Sequence, residues 1–94
     1  AGNTSAQGTE TLVHNMGGRA ERLADCIQRQ IVDSLGTVDR GLKERPELTV
    51  LHATDMPAVL VELAFISNEE DEELLRDRQD DFARAIARGV TDYA

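Results

Sequence analysis

The chain has 94 residues, of which 40% are hydrophobic and 30% charged, and its formal net charge at pH 7 is −8. A chain of this length buries only about 60–65% of its unfolded surface, so we expect one domain, or part of one, with a marginal core. The acidic balance argues against nucleic-acid binding, which needs a basic face, and no stretch approaches the roughly 18 apolar residues of a membrane span.

The first part of the chain predicts a loop, a strand and a helix. Residues 1–8 are small and polar, whereas residues 9–14 alternate and are β-prone, which favours a short strand ended by Gly17 and Gly18. From residue 19 to residue 35, apolar side chains recur at helical spacing with charges opposite, and Gly36 stands where a helix carboxyl cap is expected. The apolar positions of this helix include Leu23, Ala24, Ile27, Ile31 and Leu35.

The second part predicts two more strands and two more helices. Residues 37–47 are rich in turn formers and predict a connection, residues 48–51 predict a short strand, and residues 69–76 predict a short helix after the amino-capping residues Ser67 and Asn68. A last helix is expected over residues 80–92. Its predicted apolar face consists of Phe82, Ala83, Ile86, Ala87 and Val90. This order of elements predicts an α/β fold with a mostly parallel sheet flanked by helices.

Residues 56–66 form an apolar run that is interrupted only by Glu62. Such a run, opened by Pro57, predicts a strand buried on both faces of a parallel sheet. Ionised carboxylates are rarely fully buried unless they are paired or coordinate something, and ligand sites of open α/β sheets lie at the carboxyl ends of the strands. We therefore expect Glu62 on a central parallel strand, at the carboxyl edge of the sheet, in a catalytic or binding role. The alternative is a surface glutamate at a strand end.

Three other side chains have less specific interpretations. Cys26 is the only cysteine, so no intrachain disulfide can form, and it is expected to pack as a small hydrophobe. His14 is read as an exposed histidine at a strand end and His52 as a loop histidine, rather than as metal ligands.

Several segments carry a resemblance to a known family. They are AGN at 1–3, GTET at 8–11, DRGLK at 39–43, LTVL at 48–51 and MPAVLVELAFISN at 56–68. Together they resemble the carboxyl-terminal half of the zinc-dependent N-acetylmuramoyl-L-alanine amidases, which trim bacterial peptidoglycan. The resemblance implies that residues 1–94 are the carboxyl-terminal portion of a single amidase catalytic domain. Two departures are His52, where many relatives carry arginine, and Ala64, where they often carry glycine.

In that family, two histidines and a glutamate hold a zinc ion, and a second glutamate in the PAVLVE strand acts on the metal-bound water. Glu62 occupies this last position, whereas the three zinc ligands belong to motifs upstream of Ala1, and neither His14 nor His52 matches them. The resemblance thus implies a peptidoglycan hydrolase that cleaves the amide between muramic acid and L-alanine with zinc, with Glu62 as general base. It also implies an extracytoplasmic location, in the periplasm, the cell wall or the medium.

Two alternatives remain open at this point. The protein could be a non-catalytic, amidase-like module that binds peptidoglycan or a regulatory partner, or the chain could be a truncated, inactive fragment. A His, a Glu and a second His upstream of Ala1 would favour the enzyme. Because the zinc ligands implied by the resemblance lie upstream, we expect the 94 residues alone to be inactive. Because three strands, two of them short, leave sheet edges unpaired, we expect the chain to pair with another copy or chain through those edges.

Overall fold

The computed structural model describes residues 8–52, 56–62, 73 and 76–94, with only the backbone described at residue 52. Within these residues the chain forms three strands, two long helices and one short 3-10 helix. In chain order they are β1 (Thr9–Val13), α1 (Arg19–Leu35), β2 (Asp39–Glu44), the 3-10 helix (Thr49–His52), β3 (Leu60–Glu62) and α2 (Gln79–Tyr93). The α/β class is confirmed. None of the helices in these residues is long and apolar enough to cross a membrane.

Strand β1 lies at the centre of a three-stranded mixed sheet with the order β2-β1-β3. β2 runs parallel to β1, because α1 returns the chain to the starting edge of the sheet, whereas β3 runs antiparallel to β1. The placement of Glu62 on a central parallel strand is therefore wrong for the described residues. Parallel neighbours need a crossover that carries the chain back across the sheet. Between β2 and β3 the structure describes only a single short 3-10 helix.

Helix α1 begins and ends where the sequence predicts. Its amino-terminal flank, Gly18, makes no side-chain cap hydrogen bond, so the boundary is set by Gly17 and Gly18 rather than by a capping side chain. At the other end, Gly36 adopts a left-handed conformation with φ of 69°, and its N–H donates to the Val32 carbonyl at 2.9 Å. This is the left-handed carboxyl cap that glycine adopts without steric cost.

The two helices form the main core by packing on each other, and α1 also packs on β1 and β2. From α1 the core contains Ile27, Ile31 and Leu35, from α2 it contains Phe82 and Ala85, and Leu23, Val59, Val61 and Ile86 pack partly buried against it. Of the predicted apolar positions, Leu23, Ile27, Ile31, Phe82 and Ile86 lie in this core or pack against it, as predicted. The prediction that Val90 faces the core is wrong, because Val90 is 47% exposed.

The buried face of α2 is rotated from the predicted one because of a glycine. Gly89 is buried, whereas Ala83 and Ala87 are exposed. A Cβ atom added at Gly89 would lie 2.5 Å from the Cα of Ile27, so the helices approach most closely where α2 has no side chain. The face that meets α1 is therefore built on Phe82, Ala85, Ile86 and Gly89.

Two predicted elements change type. Residues 37–47 contain strand β2 instead of an irregular connection, and residues 48–51, predicted as a strand, form most of the 3-10 helix. β2 is polar, but the neighbouring strand β1 supplies its hydrogen-bonding partner. Between the pairs Thr9–Asp39 and Thr11–Leu42, β2 contains one extra residue, and Gly41 accommodates the bulge with a φ of 75°.

The predictions for residues 63–72 lie outside the described residues, and so does Ala64. Of the predicted helix over residues 69–76, Glu73 and Arg76 are described and are helical. The last predicted helix is confirmed and is one residue longer at each end, as α2 runs from Gln79 to Tyr93.

Candidate functional site

The two faces of the sheet differ in what covers them. Side chains alternate along a strand, so Thr9, Thr11 and Val13 point to one face while Glu10 and Leu12 point to the other. The first face is turned to α1, because the Thr11 hydroxyl donates to Gln28 of that helix at 2.9 Å. Glu10 and Leu12 therefore lie on the face away from the two long helices. We call it the open face because neither α1 nor α2 packs on it, although both side chains are buried, at 6% and 4% exposed.

The amide of Gln28 joins α1 to both parallel strands. Gln28 is 3% exposed, and its Nε2 donates to the Thr9 carbonyl at 2.7 Å and to Asp39 Oδ1 at 2.9 Å. Its Oε1 accepts from the Thr11 hydroxyl. Both amide hydrogens of Gln28 and its amide oxygen thus have hydrogen-bond partners. The buried amide thereby fixes the position of α1 against the start of β1. The helical pattern of the sequence did not distinguish Gln28 from the solvent-facing polar residues of α1.

Glu62 lies on the open face, directly opposite Glu10. The antiparallel register pairs Glu62 with Glu10, Val61 with Thr11 and Leu60 with Leu12. Val61 packs against the helical core, so its neighbour Glu62 points to the other side of the sheet. Glu62 is partly buried. The expectation that Glu62 occupies a chemically distinctive position stays a prediction, but its immediate neighbour is now defined.

That neighbour, Glu10, is a buried carboxylate with a cationic partner. Glu10 is 6% exposed, and its Oε2 lies 3.6 Å from the Nζ of Lys43 on β2. The Lys43 Nζ also donates to the Arg40 carbonyl at 2.9 Å, which holds the ammonium beside β1. Sequence reasoning named neither Glu10 nor Lys43 as a site residue. The only signal was that both belong to the segments GTET and DRGLK that carry the family resemblance.

Glu62 lies at the opposite edge of the sheet from the expected one. Because β3 is antiparallel to β1 and β2, its carboxyl end is beside Glu10 at the start of β1. The carboxyl end of β1 instead borders an open cleft of about 330 Å³, lined by the loop before α1 and by residues such as His14, Met56 and Pro57. At about 3.3 Å per residue, the cleft begins about 13 Å from Glu10 along β1.

His14 lies beyond the carboxyl end of β1, whereas Glu62 pairs with Glu10 at the start of that strand. His14 is partly buried in the loop after β1, and its Nδ1 is 2.6 Å from the Asn15 amide nitrogen. The backbone of residue 52 belongs to the 3-10 helix instead of a loop. Cys26 is partly buried and forms no disulfide. In the part of the chain that the structure describes, no three His, Cys, Asp or Glu side chains form a group that could hold a metal ion. The described residues therefore do not provide a zinc site by themselves.

Comparison with known proteins decides the family. The family model described as N-acetylmuramoyl-L-alanine amidase matches residues 1–92. The chain belongs to the N-acetylmuramoyl-L-alanine amidase family. The predicted resemblance is thereby confirmed.

Individual relatives agree with this assignment. Over 97 residues the chain is 42% identical to YqiI of Bacillus subtilis (strain 168), which is described as uncharacterized. The matched region is 99% of this chain and 47% of YqiI. It is 37% identical over 94 residues to the N-acetylmuramoyl-L-alanine amidase LytC of the same organism. The matched region is 96% of this chain and 19% of LytC.

A solved structure extends the likeness to the fold. The N-acetylmuramoyl-L-alanine amidase from Clostridium difficile 630 superposes with a TM-score of 0.86 at 35% identity, covering 98% of this chain and 50% of that chain. The chain thus spans about half of this amidase structure and 47% of YqiI.

Proposed function

We propose that the full-length protein is a peptidoglycan hydrolase that cleaves the amide between N-acetylmuramic acid and L-alanine. The observation that carries the proposal is the amidase family match over residues 1–92, which includes the motif that ends at Glu62. The position of Glu62 on the open face, partly buried beside a second carboxylate, is compatible with a reacting group. We further propose that residues 1–94 form the carboxyl-terminal portion of one catalytic domain and that the protein acts outside the cytoplasm.

The role we propose for Glu62 is that of general base. Amide hydrolysis needs a water molecule that loses a proton as it attacks the carbonyl and a proton that reaches the departing amine. A carboxylate within hydrogen-bond reach of that water accepts the first proton and returns it to the amine nitrogen. Glu62 is accessible from the open face, whereas the neighbouring Glu10 is buried and engaged with Lys43. Of these two carboxylates, Glu62 is therefore the one that water can reach.

We propose zinc as the cofactor, held by two histidines and a glutamate upstream of Ala1. The family resemblance supports this assignment. The described residues contain no group of three suitable ligands. When bound, zinc supplies acidity to a coordinated water, whose pKa falls to about 7 in well-studied hydrolases. The contribution that this chain makes is the proton transfer at the carboxylate of Glu62.

The test is Glu62→Gln in the full-length protein, with purified muropeptide as substrate. The amide is nearly isosteric but accepts no proton, so we expect kcat to fall about 10²- to 10⁴-fold while KM and metal content stay close to wild type. Glu47→Gln is the matched control, because the Glu47 side chain is 67% exposed and lies in the turn after β2. Near-wild-type turnover by Glu62→Gln would place the base elsewhere.

The same measurements address the non-catalytic alternative. A binding module would retain muropeptide affinity but show neither turnover nor stoichiometric zinc in the full-length protein. If wild-type protein binds substrate without hydrolysing it under conditions in which zinc is supplied, the enzyme proposal fails and the module remains.

A further inference from the structure

Glu10 and Glu62 form an unusual cross-strand pair. They are direct partners in the antiparallel register of β1 and β3, and both point to the open face of the sheet. Side chains in such positions have Cβ atoms about 4.5–5.5 Å apart, and like charges there destabilise the sheet. Cross-strand pairing alone therefore does not favour these two residues opposite each other.

Lys43 is the cationic partner of Glu10. The side chain of Glu10 is nine-tenths buried, and a buried carboxylate needs a paired charge or hydrogen-bond donors. The Lys43 ammonium lies 3.6 Å away and supplies that charge. Since the Lys43 side chain is 44% exposed, its stem crosses the open face while the carboxylate stays covered.

The arrangement has two consequences for Glu62. A negative charge on Glu10 is expected to repel the Glu62 carboxylate and to favour conformers that point away from β1. Because the Lys43 ammonium lies 3.6 Å from Glu10, it is also drawn away from pairing with Glu62. Both effects would keep the Glu62 carboxylate available to accept a proton from water.

We propose that Glu10, with its charge held by Lys43, is a positioning residue that orients Glu62. The inference rests on the proposed function, in which Glu62 is the general base. Glu10 touches neither substrate nor reacting atoms in this scheme and acts only through Glu62.

The first test is Glu10→Gln in the full-length protein. The amide keeps the shape of the side chain and removes its charge, so we expect kcat to fall about tenfold with KM and the unfolding midpoint nearly unchanged. Glu47→Gln again serves as the control for loss of one acidic charge. A kcat equal to wild type, or a loss of kcat that only follows a loss of stability, would overturn the inference.

A double-mutant cycle asks whether Glu10 acts through Glu62. In the Glu62→Gln background no charge is left at position 62 to orient, so adding Glu10→Gln should leave the residual kcat unchanged. A further tenfold drop would mean that Glu10 contributes independently of Glu62, and the inference would fall.

A charge swap separates positioning from simple structural pairing. The double variant Glu10→Lys with Lys43→Glu restores the ion pair with the cation on β1 and the anion on β2. It therefore places an ammonium opposite Glu62. We expect the unfolding midpoint to recover relative to Glu10→Lys alone while kcat stays low, because Glu62 now has a cation to bind. Recovery of both quantities would show that the pair is only structural.

The inference and the proposed function fail in different ways. If Glu62→Gln keeps full activity, Glu62 is not the general base, and both the proposed role of Glu62 and the positioning role of Glu10 fail. Loss of turnover in Glu62→Gln together with wild-type kcat in Glu10→Gln keeps the proposed function and overturns only the role of Glu10.

Discussion

The close contact between α1 and α2 makes Gly89 the position where adding one methyl group should be most informative. A Cβ at Gly89 would lie 2.5 Å from Ile27 Cα and 2.8 Å from Ile27 N and Cγ1. Carbon atoms normally rest about 3.5–4.0 Å apart, so the helices must separate by about 1 Å or shift along each other. Two of the three contacted atoms belong to backbone, which cannot rotate away as the tip of a side chain can.

Two effects of opposite sign decide the outcome of Gly89→Ala. Replacing glycine in a helix interior by alanine stabilises the helix by about 1 kcal/mol. Overpacking a close contact costs about 1–3 kcal/mol, and here it also opens the interface between Ile27 and Phe82. Because the closest contact is with backbone, we take the upper part of that range, about 2–3 kcal/mol, so the free energy of unfolding should fall by about 1–2 kcal/mol.

The assay is urea unfolding of the full-length protein, with the midpoint compared at constant slope. Ala87→Gly is the control, because Ala87 is an exposed residue of the same helix and reports helix propensity alone, at a cost of about 1 kcal/mol. If Gly89→Ala is stabilising by a similar amount, the helices do not touch at this glycine and the packing argument is refuted.

Three further substitutions test the sheet, the core and the surface charges. Gln28→Leu removes the partner of the buried Thr11 hydroxyl and should cost about 1–3 kcal/mol. A loss below about 0.5 kcal/mol in urea unfolding would contradict the network. Ile27→Asp buries a charge at a 2% exposed position and should cost about 4 kcal/mol or more, so an unchanged melting temperature would show the face to be exposed. The hydrogen bond from Arg78 lowers the pKa of the exposed Asp81 carboxyl, so its contribution is present at neutral pH and lost on acidification. The stability gap between wild type and Asp81→Asn should be small and should vanish at low pH, and a gap that widens there would reverse the sign.

Local patterns in the sequence predict the elements that carry their own period. Helix α1 was predicted from residue 19 to residue 35 because the apolar period, the paired glycines before it and Gly36 after it all agree. Strand β1 was predicted from its β-prone residues and the glycines that follow it, although all five of its residues are buried rather than alternating. Each of these elements is specified by residues inside it or next to it.

Elements that depend on a partner were not predicted. The segment DRGLKE of β2 is polar, contains a glycine and has no strand-like alternation, and it becomes a strand because β1 provides hydrogen bonds along one edge. The same limit explains the rotated face of α2, where the decisive residue, Gly89, is buried by the approach of α1 and contributes no apolar side chain of its own. Tertiary context decided both cases.

The direction of β3 was the largest error, and its correction moves Glu62 to the other end of β1. An unbroken apolar run predicts burial but says nothing about which way the strand runs, and the rule about carboxyl edges applies only to parallel neighbours. Antiparallel pairing places Glu62 next to Glu10 at the amino end of β1. A parallel β3 would have placed Glu62 at the other edge of the sheet, beside the cleft. If the proposed zinc ligands lie upstream of Ala1, the observed register therefore requires them to meet Glu62 at the amino end of β1, and a full-length structure with the metal beside the cleft would contradict the proposed role of Glu62.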